Sequence, residues 1–256
     1  MGKKAEGKTK TAIDEILNEG RDEKEKLYVK VTAEKVYKRK ILTKILLIIV
    51  IILLLFLSGV YAVLYVVNET GNFTISLDEN LKATRNIYVS KYKDFKETQD
   101  ILSAEYIEYM DNITESWLPE DIDGEYEGSH NGDNYIAYTF YVKNCGKENE
   151  TYEASVSVLS VIKDVDEAVR VAIYTNGEKK VYAKAAKGTN EAEEGTIKFI
   201  SNRMVMRQER LDIKPGEVDK YTIVIWLEGN DPECIDDILG GEMKLEMNIH
   251  ESGVAI

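Results

Sequence analysis

Apolar and polar positions follow three different rules along this chain. From Ile45 to Val67 the sequence reads ILLIIVIILLLFLSGVYAVLYVV, 23 residues without a charge. A helix of that length spans roughly 30 Å, the hydrocarbon thickness of a bilayer. Only a helix or a closed barrel satisfies its own backbone groups there. The pattern predicts a membrane-spanning helix over residues 45–67.

Past residue 135 the rule becomes alternation, the signature of half-buried strands. YIAYTFYVKN (135–144) and YEASVSVLSVI (152–162) are strands, the second with Ala154, Val156, Val158 and Ser160 on one face. VRVAIYTNGEKKVYAK (169–184) is a hairpin with Asn176-Gly177 at its tip, a pair that accepts the positive φ angles of a type I′ turn. GTIKFIS and RMVMRQERLDI supply further strands, and Lys214-Pro215-Gly216-Glu217 is a turn. DKYTIVIWLE (219–228) points Tyr221, Ile223 and Ile225 one way; EMKLEMNIH (242–250) does the same with Met243, Leu245, Met247 and Ile249. FTISL (73–77) and NIYVS (86–90) also read as strands. Short connections without alternating helices predict an antiparallel β-sandwich with short helices.

Two stretches are predicted helical inside that domain. Phe95, Leu102, Tyr106 and Tyr109 recur at helical spacing, although ILSAEYI also fits a strand. In WLEGNDPECIDDILGG (226–241), Asp231 suits a helix cap, Pro232 the first helical position and Gly240 the residue after the end. That predicts strand, helix of about two turns, strand.

Before the apolar run the pattern is weakly amphipathic. Ala12, Ile13, Ile16 and Leu17 share one helical face and Gly20 closes it; a second helical stretch from about Thr32 runs into the membrane. GKKAEGKT (2–9) matches the phosphate-loop spelling, but neither a strand before it nor a parallel-sheet domain after it is present to aim its N–H groups at phosphate.

Charge gives the helix a direction. Residues 1–44 carry a net charge of +5 and residues 68–256 one of −18, within a total of −13. Lys38, Arg39, Lys40 and Lys44 flank one end; the first charges on the other side are Glu69 and Asp78. The positive-inside rule makes 1–44 a basic cytoplasmic tail and 68–256 an extracytoplasmic domain, with Tyr61 and Tyr65 at the outer interface. The competing reading is a signal peptide cleaved after Val60-Tyr61-Ala62; the apolar run exceeds the usual signal core and continues past that point. An acidic outer domain disfavours nucleic acid, which requires the opposite sign.

Candidate chemistry is sparse. His130 and His250 lie in no nucleophile pattern, and no G-x-S-x-G, H-E-x-x-H or C-x-x-C occurs. An enzyme is not expected. PEDIDGEYEGSHNGDN (119–134) offers Asp121, Asp123, Glu125, Glu127 and Asp133 in a glycine-rich loop, a candidate calcium site without EF-hand spacing. The alternative is a solvated acidic turn. Cys145 and Cys234 each follow a strand and are expected outside, where a disulfide persists; a bridge between them is one reading and two free thiols the other. Asn68, Asn72, Asn112 and Asn149 begin N-x-[ST] triplets, relevant only where the source glycosylates them.

The runs NYIAYTFYVKNCG, DEAVRVAIYTNGEKKVYAK and KPGEVDKYTIVIWLEGNDPECIDDILGGEMKLEM resemble a set of single-pass membrane proteins of Gram-positive bacteria, over about residues 70–250. The layout is more remotely similar to secreted sandwich proteins of the camelysin/TasA type. The resemblance implies a surface or matrix role and transfers no functional residue. The expected function is a membrane-anchored, non-catalytic surface module that binds an envelope protein, a glycan or copies of itself. The alternatives are a calcium- or carbohydrate-binding module and a matrix subunit released by cleavage.

Overall fold

The computed structural model describes residues 3–69 and 72–252, the side chains of 3–17, 24, 27–31, 33, 34 and 62–69 excepted. The chain divides into two compact units, Met1–Val66 and Val67–Ile256.

The first unit is one helix, α1 (Lys3–Glu69). Its segment Lys35–Tyr61 contains an 18-residue stretch of mean hydropathy 3.1, none of it buried, and is long and apolar enough to cross a membrane. The hydroxyls within this stretch bond back to the helix: Thr43 donates to the Arg39 carbonyl at 2.7 Å and Ser58 to that of Leu55 at 2.8 Å. The expected stop at Gly20 does not occur. A mid-helix glycine costs only about 1 kcal/mol, and Gly20 is flanked by continuous helix on both sides. The GKKAEGKT spelling lies in helix from Lys3 onward, so its N–H groups do not converge on a phosphate. The expected face of Ala12, Ile13, Ile16 and Leu17, the position of Tyr65 and the side chain of Asn68 lie outside the described side chains.

The second unit contains β1 (Phe73–Leu77), α2 (Glu79–Arg85), β2 (Ile87–Ser90), β3 (Ile101–Ser103), β4 (Gly128–Ser129), β5 (Tyr135–Asn144) and β6 (Glu150–Ile162). It continues with β7 (Val169–Thr175), β8 (Glu178–Ala183), β9 (Ile197–Lys198), β10 (Met204–Ile213), β11 (Val218–Leu227) and β12 (Glu242–Glu251). One sheet has the order β10-β6-β12-β1-β3; the other runs β2-β5-β11-β7-β8-β9, with β4 also paired to β5. The protein is therefore mainly β, as the alternation predicts. Both sheets are mixed rather than purely antiparallel, because β1 runs parallel to β12 and β8 parallel to β9.

Alternation places the core. Tyr138, Phe140, Val171, Tyr221, Ile223 and Ile225 of one sheet pack with Phe73, Ile75, Val156, Leu245, Met247 and Ile249 of the other. Ser160 departs from its predicted face. A register shift where Lys244 pairs with Ser160 and Leu245 with Val158 leaves Leu159 and Ser160 exposed, and Val161 packs against the core instead. A second cluster, Trp226, Val224, Ala137 and Ala172, occupies the opposite face of β11 beneath Ile113 and Ile122. The central strand is thus buried on both faces. The predicted hairpin is present, with Asn176 at φ 53° and Gly177 at φ 88°.

The short helix predicted from the spacing of Phe95, Leu102, Tyr106 and Tyr109 is absent. Phe95 sits at φ 56°, outside the right-handed helical region, and Ile101–Ser103 is strand β3, paired to β1. In its place α2, which the pattern missed, is capped by Asp78, whose carboxylate accepts from the Asn80 N–H at 2.7 Å. The two-turn helix predicted after Asp231 reduces to a single 3-10 turn at Asp236–Ile238.

Candidate functional site: an acid-rimmed cleft at one end of the sandwich

At the end of the sandwich where β11 finishes and β5, β7 and β12 begin, the two sheets part around a cavity of about 470 Å³. Its floor is apolar, formed by Ile136, Val165, Val169, Ile225, Leu227 and Leu245. One wall is the segment Tyr106–Asn112 and the other is Cys234–Gly241. A concave apolar pocket with a few polar groups at its mouth is the usual form of a binding site.

Each wall is pinned by identifiable contacts. The Ala104 N–H donates to Phe73 O at 2.9 Å, and Ile113 N–H to Leu227 O at 2.9 Å, so Tyr106–Asn112 is stretched between β1 and the end of β11. The Asp111 N–H donates to Asn134 Oδ1 at 2.9 Å. Between these anchors the backbone of Tyr106–Met110 makes no hydrogen bond among the described residues. The opposite wall starts at Asp231, whose carboxylate is fully buried against Arg170 at 2.5 Å and accepts from the Glu233 N–H at 2.8 Å. It closes at Gly241, where an added Cβ would lie 2.8 Å from both Ile238 O and Val165 Cβ. Asn112 Nδ2 donates to Cys234 Sγ at 3.3 Å, joining the two walls.

The mouth combines greasy and acidic groups. Tyr109 is 81% exposed and Leu239 66% exposed, with Tyr106 and Ile235 beside them. Glu108, Asp111, Asp236 and Glu242 supply four carboxylates against one lysine, Lys244. The run WLEGNDPECIDDILGG, expected only to connect two strands, therefore builds a wall of the cleft. Ile235, Ile238 and Leu239, three apolar residues among carboxylates, were the signal that a capped-helix reading absorbed.

The five carboxylates offered for calcium, Asp121, Asp123, Glu125, Glu127 and Asp133, do not converge. Asp123 Oδ1 lies 3.1 Å from Lys220 Nζ, and Glu125 lies 2.5 Å from Lys93 Nζ, which holds the Glu125 carboxyl below its ordinary range. Asp121 accepts from the Tyr126 hydroxyl at 3.2 Å, and Asp133 is exposed. Glu127 faces Lys96 at 3.8 Å. Lysines of the protein itself pair with three of the five, Asp123, Glu125 and Glu127. Among the described residues the convergent acidic group is instead Glu193, Asp231 and Glu233, within 4.8 Å of one another. There the hydrogen bond and charge of Asp231 push the Glu233 carboxyl up, and Arg170 already neutralises Asp231.

The disulfide expectation is corrected: Cys145 and Cys234 are free. Register explains why. Val218 pairs with Lys143 and Trp226 with Tyr135, so β5 and β11 are antiparallel neighbours. Two cysteines that each follow the end of such strands lie at opposite ends of the sandwich. At about 3.4 Å per residue the separation is roughly 27 Å, whereas a bridge needs Cα atoms within about 7 Å.

The histidines serve local structure. His130 stacks on Tyr126 with ring centroids 4.1 Å apart, and its ring nitrogens face the Gly128 and Ile122 carbonyls. His250 Nε2 meets both Ser155 Oγ at 3.3 Å and Glu153 Oε1 at 3.4 Å. A catalytic triad places its nucleophile and its acid on opposite ring nitrogens; here both share one.

No protein-family model and no curated protein matches the chain. Among solved structures it is similar to the β-glucosidase from Kluyveromyces marxianus in complex with glucose, at 14% identity and a TM-score of 0.25, covering 65% of this chain and 16% of that one. It is also similar to AvmM, described as catalysing macrocyclization in alchivemycin A biosynthesis, at 12% identity and a TM-score of 0.22, covering 48% of this chain and 82% of that one. The chain thus matches about a sixth of the glucosidase's length, and likenesses this distant carry no argument about activity.

Proposed function

We propose that this protein is a membrane-anchored, extracytoplasmic binding module whose ligand enters the cleft between Tyr106–Asn112 and Cys234–Gly241. The apolar helix supports the anchor. Orientation is supported by the charge asymmetry: Lys38, Arg39, Lys40 and Lys44 stand before the apolar segment, and the −18 body follows it. The observation that carries the binding reading is the cleft itself, about 470 Å³ with an apolar floor and Tyr109 and Leu239 presented at its mouth. Exposed aromatic and aliphatic side chains around a preformed apolar cavity are the form that recognition hot spots take. The module is read as non-catalytic, in keeping with a sequence that holds no G-x-S-x-G, H-E-x-x-H or C-x-x-C motif.

Cys234 provides a built-in reporter, because it lines the cleft. The full chain carrying Cys145→Ser, in lipid nanodiscs, is used to select ligands from a displayed peptide library. Ligands of the cleft slow alkylation of Cys234 by a maleimide and lose affinity for the Leu239→Arg variant. Selected ligands that bind Leu239→Arg equally well and leave the alkylation rate unchanged would place binding elsewhere.

A further inference from the structure

We infer that the occupant of the cleft is an extended peptide segment bearing basic side chains beside small apolar ones, added as a strand along Tyr106–Met110. This rests on the cleft being the binding site and goes on to name its ligand chemistry.

Two independent observations point the same way. The first is the backbone. Five consecutive residues, Tyr106 to Met110, line the cavity with no main-chain hydrogen bond to any described residue. Unpaired N–H and C=O groups beside an apolar groove are what strand-adding domains offer a peptide: main-chain bonds hold it and pockets select its alternate side chains. The remaining long edge suits this poorly. Strand β10 directs the charged Arg207 and Glu209 outward and loses regular register before Ile213, with Asp212 at φ 52°; charges and irregularities are how proteins blunt an edge.

The second observation is charge. None of Glu108, Asp111, Asp236 and Glu242 is in an ion pair among the described residues, in contrast to the lysine-paired carboxylates of the 119–134 loop. The carboxylates lining the cleft outnumber its one lysine, Lys244, four to one. Complementary charge at a binding rim selects the partner and speeds its encounter. A ligand with Lys or Arg on one side and Val or Leu on the other matches both rim and floor.

The probe is a fluorescein-labelled heptapeptide, Lys-Val-Lys-Val-Lys-Val-Lys, with a Glu-for-Lys version and a version N-methylated at alternate residues. Binding is measured by anisotropy to the full chain in zwitterionic nanodiscs, with empty nanodiscs subtracted. The lysine peptide binds at least about tenfold tighter than the glutamate peptide. Asp236→Asn and Glu242→Gln each weaken it about threefold, both being exposed positions where the fold is unaffected. N-methylation weakens it at least about tenfold by removing main-chain donors. Equal binding of lysine and glutamate peptides, both abolished by Leu239→Arg, overturns the basic-ligand inference and leaves the cleft reading standing. Equal binding of the N-methylated peptide overturns strand addition. If neither these peptides nor any library-selected ligand protects Cys234, the cleft reading itself fails.

Discussion

Replacing Asp231 by Ala separates a buried electrostatic anchor from the surface charge around it. The Arg170 and Asp231 side chains are 7% and 0% exposed and 2.5 Å apart. Removing the carboxylate leaves the Arg170 guanidinium buried without a counter-charge, which typically costs about 3–5 kcal/mol. It also frees the Glu233 N–H, now bonded to Asp231 at 2.8 Å. In a unit of this size each kcal/mol lowers the melting temperature by about 2–4 °C, so a fall of roughly 6–20 °C is expected. The assay is thermal unfolding of the full chain in detergent, followed by near-ultraviolet circular dichroism. Glu125→Ala, which removes an exposed pair with Lys93, is the control and leaves the melting temperature within about 2 °C of the parent. The double variant Arg170→Met with Asp231→Leu recovers most of the loss, because no unpaired charge remains. A melting temperature for Asp231→Ala within about 2 °C of the parent would refute the reasoning. Asp231 opens the wall of the cleft, so the same variant should also accelerate alkylation of Cys234.

Three further outcomes follow from the fold. Gly177→Ala places a side chain at φ 88° with open space around it, so its cost is purely conformational, about 1–2 kcal/mol by chemical denaturation; no change would mean the turn is not type I′. Burial pushes the Tyr138, Tyr141 and Tyr221 phenols up to about 12, and Tyr152 well above the ordinary range. Raised values of this kind contribute stability present below about pH 10 and lost as the pH rises through about 12; absorbance at 295 nm should show these phenols ionising together with alkaline unfolding, and normal titration of every tyrosine in the folded protein would contradict their burial. Reducing agent should leave the melting temperature of the monomer unchanged, since Cys145 and Cys234 are not bridged; a fall of several degrees on reduction would restore the disulfide.

Strand content was legible because alternation is a local signal: β5, β7, β11 and β12 each repeat apolar residues at period two. The Asn-Gly tip was legible for the same reason. What was not legible depends on distant partners. The parallel pairing of β1 with β12 joins Phe73 to Leu245, a choice no local pattern encodes. The helical spacing of Phe95, Leu102, Tyr106 and Tyr109 was accidental; β1 offered Leu102 a strand neighbour, and that tertiary pairing prevailed over a short, uncapped helix. The cysteine error was topological. Both residues follow strand ends, and only the antiparallel pairing of β5 with β11 reveals that such ends lie far apart. The acidic loop misled because composition shows carboxylates but not the lysines that reach them: Lys220 is 97 residues from Asp123 in sequence. The cleft had a faint trace in Ile235, Ile238 and Leu239, while its other wall, Tyr106–Asn112, looked like the end of a helix.

The claim that the sandwich faces outward from a membrane anchor is tested most directly with Cys145, which is exposed. The full chain carrying Cys234→Ser, expressed in intact cells, is treated with a membrane-impermeant maleimide and its mass measured. Labelling of Cys145 in intact cells, to the same extent as after lysis, is the predicted result. Labelling that appears only after lysis would place the sandwich in the cytoplasm and contradict the orientation.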